Sequence, residues 1–145
     1  MKFRFETILK LRKNRENMAQ KALAIVNGHL LKQQEYRNFM ETIETSSKRD
    51  LNKKMEQGTN VPTLILYDNF FYGVRAQEKR QDRIIAEVNR QVDAKREELA
   101  SAMAKRRIME ILRERDFLAL STAQKKRDTA QMDEIGATQW RLKYS

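Results

Sequence analysis

From Phe5 to about Met55 the apolar residues recur at intervals of three and four: Ile8, Leu11, Met18, Ala22 and Ile25, then Tyr36, Phe39 and Ile43. This is the spacing of a helix with one apolar seam, as in a coiled coil, interrupted at Arg15, His29 and Lys32. The same spacing returns later through Ile85, Val88, Val92, Leu99, Met103, Met109 and Leu112. Between the two tracts lies QGTNVPTLILYDNFFYGV, with the single proline of the chain. Gly58 can end one helix and Pro62 can open the next, while Val61 is biased away from the helical region by the proline after it. The pattern therefore predicts one helix over about 5–56, a turn over about 57–62 and a second helix over about 63–140. LILY also fits a short strand. Gly28 inside the first helix costs about 1 kcal/mol, and marks a candidate bend or close contact.

Neither stripe is wide enough to be buried in a lone helix, so the short connection should fold the two into an antiparallel hairpin. The expected fold is all-α, an antiparallel coiled-coil hairpin forming a single domain over residues 1–145, a monomeric rod with about 75 to 85 Å of paired helix. With the turn centred near residue 60, residue i faces roughly 120 minus i, which sets Ile8 near Leu112, Leu11 near Met109, Met18 near Met103 and Ala22 near Leu99. In that register everything beyond Leu120 lacks a partner, so the second helix is the longer and overhangs by about 30 to 40 Å. The overhang still carries Ala123, Met132, Ile135, Trp140 and Leu142, apolar residues on a charged helix that suggest docking into something else.

Composition narrows the chemistry. Charged residues make up 34% of the chain and aromatics 8%, too little apolar material for a thick core. The balance of 30 basic against 20 acidic residues, +10 overall, allows nucleic acid, an anionic membrane surface or acidic protein partners. The clusters Lys105-Arg106-Arg107 and Lys125-Lys126-Arg127 raise the nucleic-acid question, but Glu110, Glu114, Asp116 and Asp128 interleave with them, which favours a solvated or protein-facing surface. With no cysteine and a single histidine, His29, neither a thiolate nor a multi-histidine metal site is possible. His29 falls at a seam position and reads as a partly buried packing residue. No phosphate-binding loop, dinucleotide fingerprint or HExxH motif occurs, and pairs such as Glu97 with Glu98 or Asp133 with Glu134 read as helix surface. The chain is expected to be neither an enzyme nor a cofactor-binding protein. No apolar run approaches the roughly 18 residues of a spanning helix, and MKFRFETILKLRKNRE becomes charged too soon for a signal peptide, which points to a cytoplasmic protein.

Tyr67, Phe70, Phe71 and Tyr72 crowd beside the turn. One reading packs them over Leu51 and Met55 at the closed end of the hairpin. The other notes that residues 67, 70, 71 and 74 form one stripe while Leu64, Leu66 and Tyr72 lie off it, more apolar surface than a two-helix tip can cover.

The opening FRFETILKLRKNRENMAQKALA, the segment RRIMEILRERDF and the closing AQMDEIGATQW resemble the start and end of the FliJ family of flagellar type III export proteins. Gly136 departs from the alanine usual there, which bears on the continuity of the last turns. The resemblance implies a stalk-like antiparallel coiled coil whose termini insert into the ring of the hexameric flagellar export ATPase and promote its activity. It also implies a surface away from the termini for the export-gate membrane protein, escort of export chaperones, and a place at the inner membrane beneath the flagellum. On this basis Phe5, Leu9, Arg12, Lys125, Lys126, Arg127, Met132, Asp133, Glu134, Ile135 and Trp140 are the expected ATPase contacts, and Tyr67, Phe70, Phe71 and Val74 the expected gate contacts. A nucleic-acid-binding hairpin and a structural coiled-coil dimer are the alternatives.

Overall fold

The computed structural model describes residues 4–144. They form two long helices packed against each other, α1 (Glu6–Gln57) and α2 (Val61–Tyr144), with no strand among the described residues. LILY is helical. The turn is tighter than its sequence suggests, because Gly58 takes a φ of 88° and closes α1 through its amide to the Met55 carbonyl. Asn60 then caps α2, its Oδ1 accepting from the Thr63 amide at 2.9 Å, so Val61 and Pro62 already belong to the first helical turn.

Contacts group the described chain into two compact units, residues 4–17 with 101–144, and residues 18–100. In the first, Phe5 just before α1 and Leu9, Arg12 and Glu16 of α1 are buried or half-buried, and so are Ala102, Arg106, Met109 and Arg113 of α2. In the second, the covered stripe of α1 runs through Ala19, Leu23, Val26, Leu30, Gln33, Arg37, Met40, Glu44, Ser47 and Leu51. Its counterpart on α2 comprises Leu64, Tyr67, Phe71, Val74, Glu78, Gln81, Ile85, Val88, Val92, Lys95 and Leu99. Strict alternation of three and four makes each stripe a heptad seam. Within each unit the seams mirror one another when residue i faces roughly 118 minus i, close to the register expected from the turn.

On α1 the seam lies one residue later than the apolar count suggested. Ile8, Leu11, Met18, Ile25, Tyr36 and Phe39 are all exposed, between 40% and 69%. His29 is exposed too, its place on the seam taken by Leu30. On α2 Met103 and Leu112 are likewise more exposed than a seam position allows, and Leu64 joins the seam. The reason is chemical. Arg12, Glu16, Gln33, Arg37 and Glu44 occupy seam positions, and several of them bond across to α2, so charge does not mark the outside of this helix. Gln81 donates to the Gln33 carbonyl and to its Oε1 at 2.5 Å, and Arg106 donates to Glu16 at 2.6 Å. Removal of one partner from such a covered pair costs the desolvation of the other.

A Cβ at Gly28 would meet open space, so the glycine marks no close contact. Gly136 leaves α2 unbroken, and the helix continues to Tyr144.

Candidate docking surfaces

The seam sorts the two flanks of each helix pair. In an antiparallel pair the positions following one seam row of α1 lie beside their counterparts on α2, and those preceding it do the same on the other side. In residues 18–100 one flank carries Glu41, Lys48, Arg75 and Asp82, and it is laced by ion pairs. Arg37 reaches Glu41, Glu78 and Asp82 at 3.4, 3.3 and 2.8 Å, and Glu44 takes Lys48 at 3.2 Å and Arg75 at 3.9 Å. The hydrogen bond to Asp82 raises the Arg37 guanidinium above its ordinary value, with burial opposing it.

The opposite flank is apolar and open. Tyr36, Met40 and Ile43 of α1 meet Phe70, Gly73 and Val74 of α2 around an open groove of about 410 Å³ that Asn69 and Gln77 also line. Phe70 also lines a second hollow of about 250 Å³ with Ser47, Leu66 and Tyr67. It sits edge-on to Phe71, ring centroids 5.7 Å apart, and Phe71 in turn lies 6.2 Å from Tyr67.

Residues near the turn thus divide between the two readings that their sequence left open. Phe71 is 8% exposed and packs in the seam, with Tyr67 and Val74 half-buried beside it. Phe70, Leu66 and Tyr72 face outward at 41%, 69% and 79%. Of the four expected gate contacts only Phe70 is mainly available to a partner, Tyr67 and Val74 offer an edge, and Phe71 offers none. Tyr36, Met40 and Ile43 belong to the same surface and were not legible as such, because their spacing reads equally well as a seam.

The second surface is the free part of α2. Every residue from Glu114 to Tyr144 is exposed, about thirty residues or some 45 Å of helix. Met132, Ile135 and Trp140 are 70%, 54% and 64% exposed, and Phe117 and Leu118 add to the apolar area. Lys125, Lys126, Arg127, Asp133 and Glu134 are exposed on the same segment. The Trp140 ring lies 5.3 Å from that of Tyr144, a contact within one turn of the helix.

At the start of α1 the expected contacts fare differently. Leu9 is fully buried against α2, and Phe5 and Arg12 are half-buried at seam positions. Leu9 is therefore a packing residue, and the outward apolar side chains there are Ile8 and Leu11. Nearby, Arg106 bonds Glu16 and Glu110, and Arg107 bonds Glu110 at 3.3 Å and Glu114 at 3.6 Å. Two of the three basic residues in that cluster are thus engaged within the chain. Burial pushes the Glu110 carboxyl up, but Arg107 and Arg106 more than offset it, leaving it below the ordinary value. Among the described residues no group of acidic or histidine side chains could hold a metal ion, and no helix is long and apolar enough to cross a membrane.

The sequence profile of the family described as Flagellar FliJ protein matches residues 1–145. The chain belongs to the FliJ family. Among solved structures it is similar to a chain described as a YscO homolog from Chlamydia trachomatis, with 14% identity, 98% of this chain and 96% of that one covered, and a TM-score of 0.49. No curated protein matches it. The match includes Gly136, through which α2 runs without a break.

Proposed function

We propose that this FliJ-family chain is a non-enzymatic component of the flagellar type III export apparatus that engages the hexameric export ATPase through the free end of α2. The observation that supports this reading most is the run of exposed residues from Glu114 to Tyr144, which leaves Met132, Ile135 and Trp140 largely in water. Exposed apolar side chains on a projecting helix are costly unless something covers them, and a ring with a central opening would cover all sides at once. Lys125, Lys126 and Arg127 would then meet acidic groups of the ring, giving an association that weakens with salt.

The groove between Tyr36 and Phe70 is the proposed contact for the export-gate membrane protein, which would hold the chain at the inner membrane beneath the flagellum as a peripheral protein. Escort of export chaperones is part of the same proposal, carried over from the family. Truncation after Gln124 should abolish stimulation of the ATPase while leaving gate binding in place. Replacement of Phe70 and Tyr36 by serine should do the reverse. Equal loss of both activities in both variants would refute the division of labour.

A nucleic-acid role is less well supported, since Arg106 and Arg107 are engaged by Glu16, Glu110 and Glu114.

A further inference from the structure

Within residues 18–100, α1 carries two apolar rows, and only one of them is the seam. Beside the seam Met18, Ala22, Ile25, Tyr36, Phe39 and Ile43 follow a spacing of three and four, interrupted by His29 and Lys32. Met18, Ile25, Tyr36 and Phe39 are more than half exposed. On α2 the row on the same flank runs through Phe70, Gly73, Gln77, Arg80 and Ile84, all exposed. Tyr36 and Ile43 from the first row and Phe70, Gly73 and Gln77 from the second line the groove, which is thus part of a trough with one row on either side. Alternation of three and four lets the side chains of one helix enter the gaps of another, whereas a strand, whose side chains alternate every two residues, cannot follow it. The seam satisfies one helical neighbour of α1, and the outer row has the spacing for a second.

Charge on the rows narrows the occupant. Lys32 and Arg80 stand on them and Arg83 lies one turn beyond Arg80; among the described residues none of the three makes an ion pair. Glu87, further along the α2 row, is already held by Arg90 at 2.9 Å. Glu35, one turn from Lys32, is an unpaired acid there, so three cations stand against one free carboxylate. The opposite flank has no such excess, since Glu41, Glu44, Glu78 and Asp82 hold Arg37, Lys48 and Arg75.

We propose that the trough between these rows takes one α-helix of a partner protein, apolar at three-and-four spacing and acidic along both edges, as the third helix of a bundle with residues 18–100. A second copy of this chain is a poor occupant, because its own trough would set Lys32, Arg80 and Arg83 against their like. An acidic helix is drawn to them instead, in an association that weakens with salt. Met18 to Ile43 spans about 37 Å of α1, so the matching helix has about 25 residues. The occupant rests on the proposed docking role of the groove, while its helical form and its charge are tested without the gate.

The test uses a labelled synthetic peptide of about 25 residues, with leucine and alanine at three-and-four spacing and glutamate and glutamine elsewhere. Mixed with the full chain, it should gain helical circular dichroism and bind about tenfold or more tighter than a scrambled peptide or one with lysine for glutamate. Ile25→Ser with Phe39→Ser should weaken it about tenfold. Both side chains are exposed, so this pair leaves the seam intact. Lys32→Glu with Arg80→Glu should reverse the preference between the glutamate and lysine peptides. Gln20→Ser with Gln34→Ser, on the other flank, should change neither. Binding no tighter than that of the scrambled peptide, or indifferent to the first two pairs of substitutions, would overturn the acidic helix. So would a chain that sediments as a dimer and becomes a monomer with Ile25→Ser and Phe39→Ser, since the row would then belong to a second copy. The gate is read separately. Gate binding lost with Tyr36→Ser and Phe70→Ser but kept with Ile25→Ser and Phe39→Ser would leave the groove as its contact and remove the helix along the row. Peptide binding beside gate binding that neither pair disturbs would keep the helix and remove the gate as its owner.

Discussion

Arg106 of α2 donates from Nε to Glu16 of α1 at 2.6 Å and from Nη1 to Glu110 on its own helix at 2.8 Å. One guanidinium thus fastens the two helices at a point ninety residues apart in the chain. Its forked donors suit two carboxylates at once in a way a lysine could not reproduce. The bond to Glu16 raises the Arg106 guanidinium above its ordinary value, with burial opposing. Glu16→Arg and Arg106→Glu should each lower the thermal midpoint followed by circular dichroism, and the exchanged pair should recover part of the loss. Absence of any recovery would mean that the two side chains do not meet in solution.

The seam makes a sharper prediction on α1. Leu9 is fully buried whereas Ile8 and Leu11 are 40% and 46% exposed. Leu9→Ala should cost about 2 to 5 kcal/mol in denaturant unfolding, as a core deletion does. Ile8→Ala and Leu11→Ala should each cost less than about 1.5 kcal/mol, since most of their area is never taken from water. A reversed order would restore the seam counted from apolar residues alone.

That contrast shows what the sequence makes legible. On α2 the covered residues are mostly aliphatic, Ile85, Val88, Val92, Leu99 and Met109 among them, so hydrophobic periodicity finds the seam directly. On α1 the seam includes Glu16, Gln33, Arg37 and Glu44, while the adjacent row holds Ile8, Leu11, Ile25, Tyr36 and Phe39. Periodicity then follows the richer row and misses by one residue, a rotation of about 100°. The signal that could have found it is pairing: each of those polar residues meets a complementary or hydrogen-bonding one near the mirrored position, Arg106, Gln81, Glu78 and Arg75 in turn. The overhang was legible because it depends only on where the turn falls. The groove was not, since Tyr36 and Ile43 belong to it only once the seam is displaced.

Acid should loosen residues 4–17 with 101–144 through Glu110. Its carboxyl is held below the ordinary value, so its contribution is complete above the unfolded value of about 4.5 and is lost as pH falls through the folded one. Glu110→Gln should therefore be less stable than the parent at neutral pH and should converge with it in acid, as measured by thermal midpoints from pH 7 down to pH 3. A difference that persists unchanged in acid would remove the charge from the explanation.

The three helical glycines have open space where a Cβ would stand. Gly28→Ala and Gly136→Ala should each stabilise their helices by about 0.5 to 1 kcal/mol, because alanine lowers the conformational cost without a clash. Denaturant midpoints check this. Gly58→Ala should destabilise instead, since its φ of 88° is a conformation that side chains rarely adopt.

The most direct measurement of the proposed engagement uses Trp140, the one tryptophan of the chain, 64% exposed on the free end of α2. In the isolated protein its emission should be that of an indole in water. Addition of a tryptophan-free hexameric export ATPase should shift the emission to the blue as the α2 end is covered, and the shift should weaken with added salt. An emission already blue in the isolated protein, or one left unmoved by an ATPase that the chain still stimulates, would contradict docking through this end.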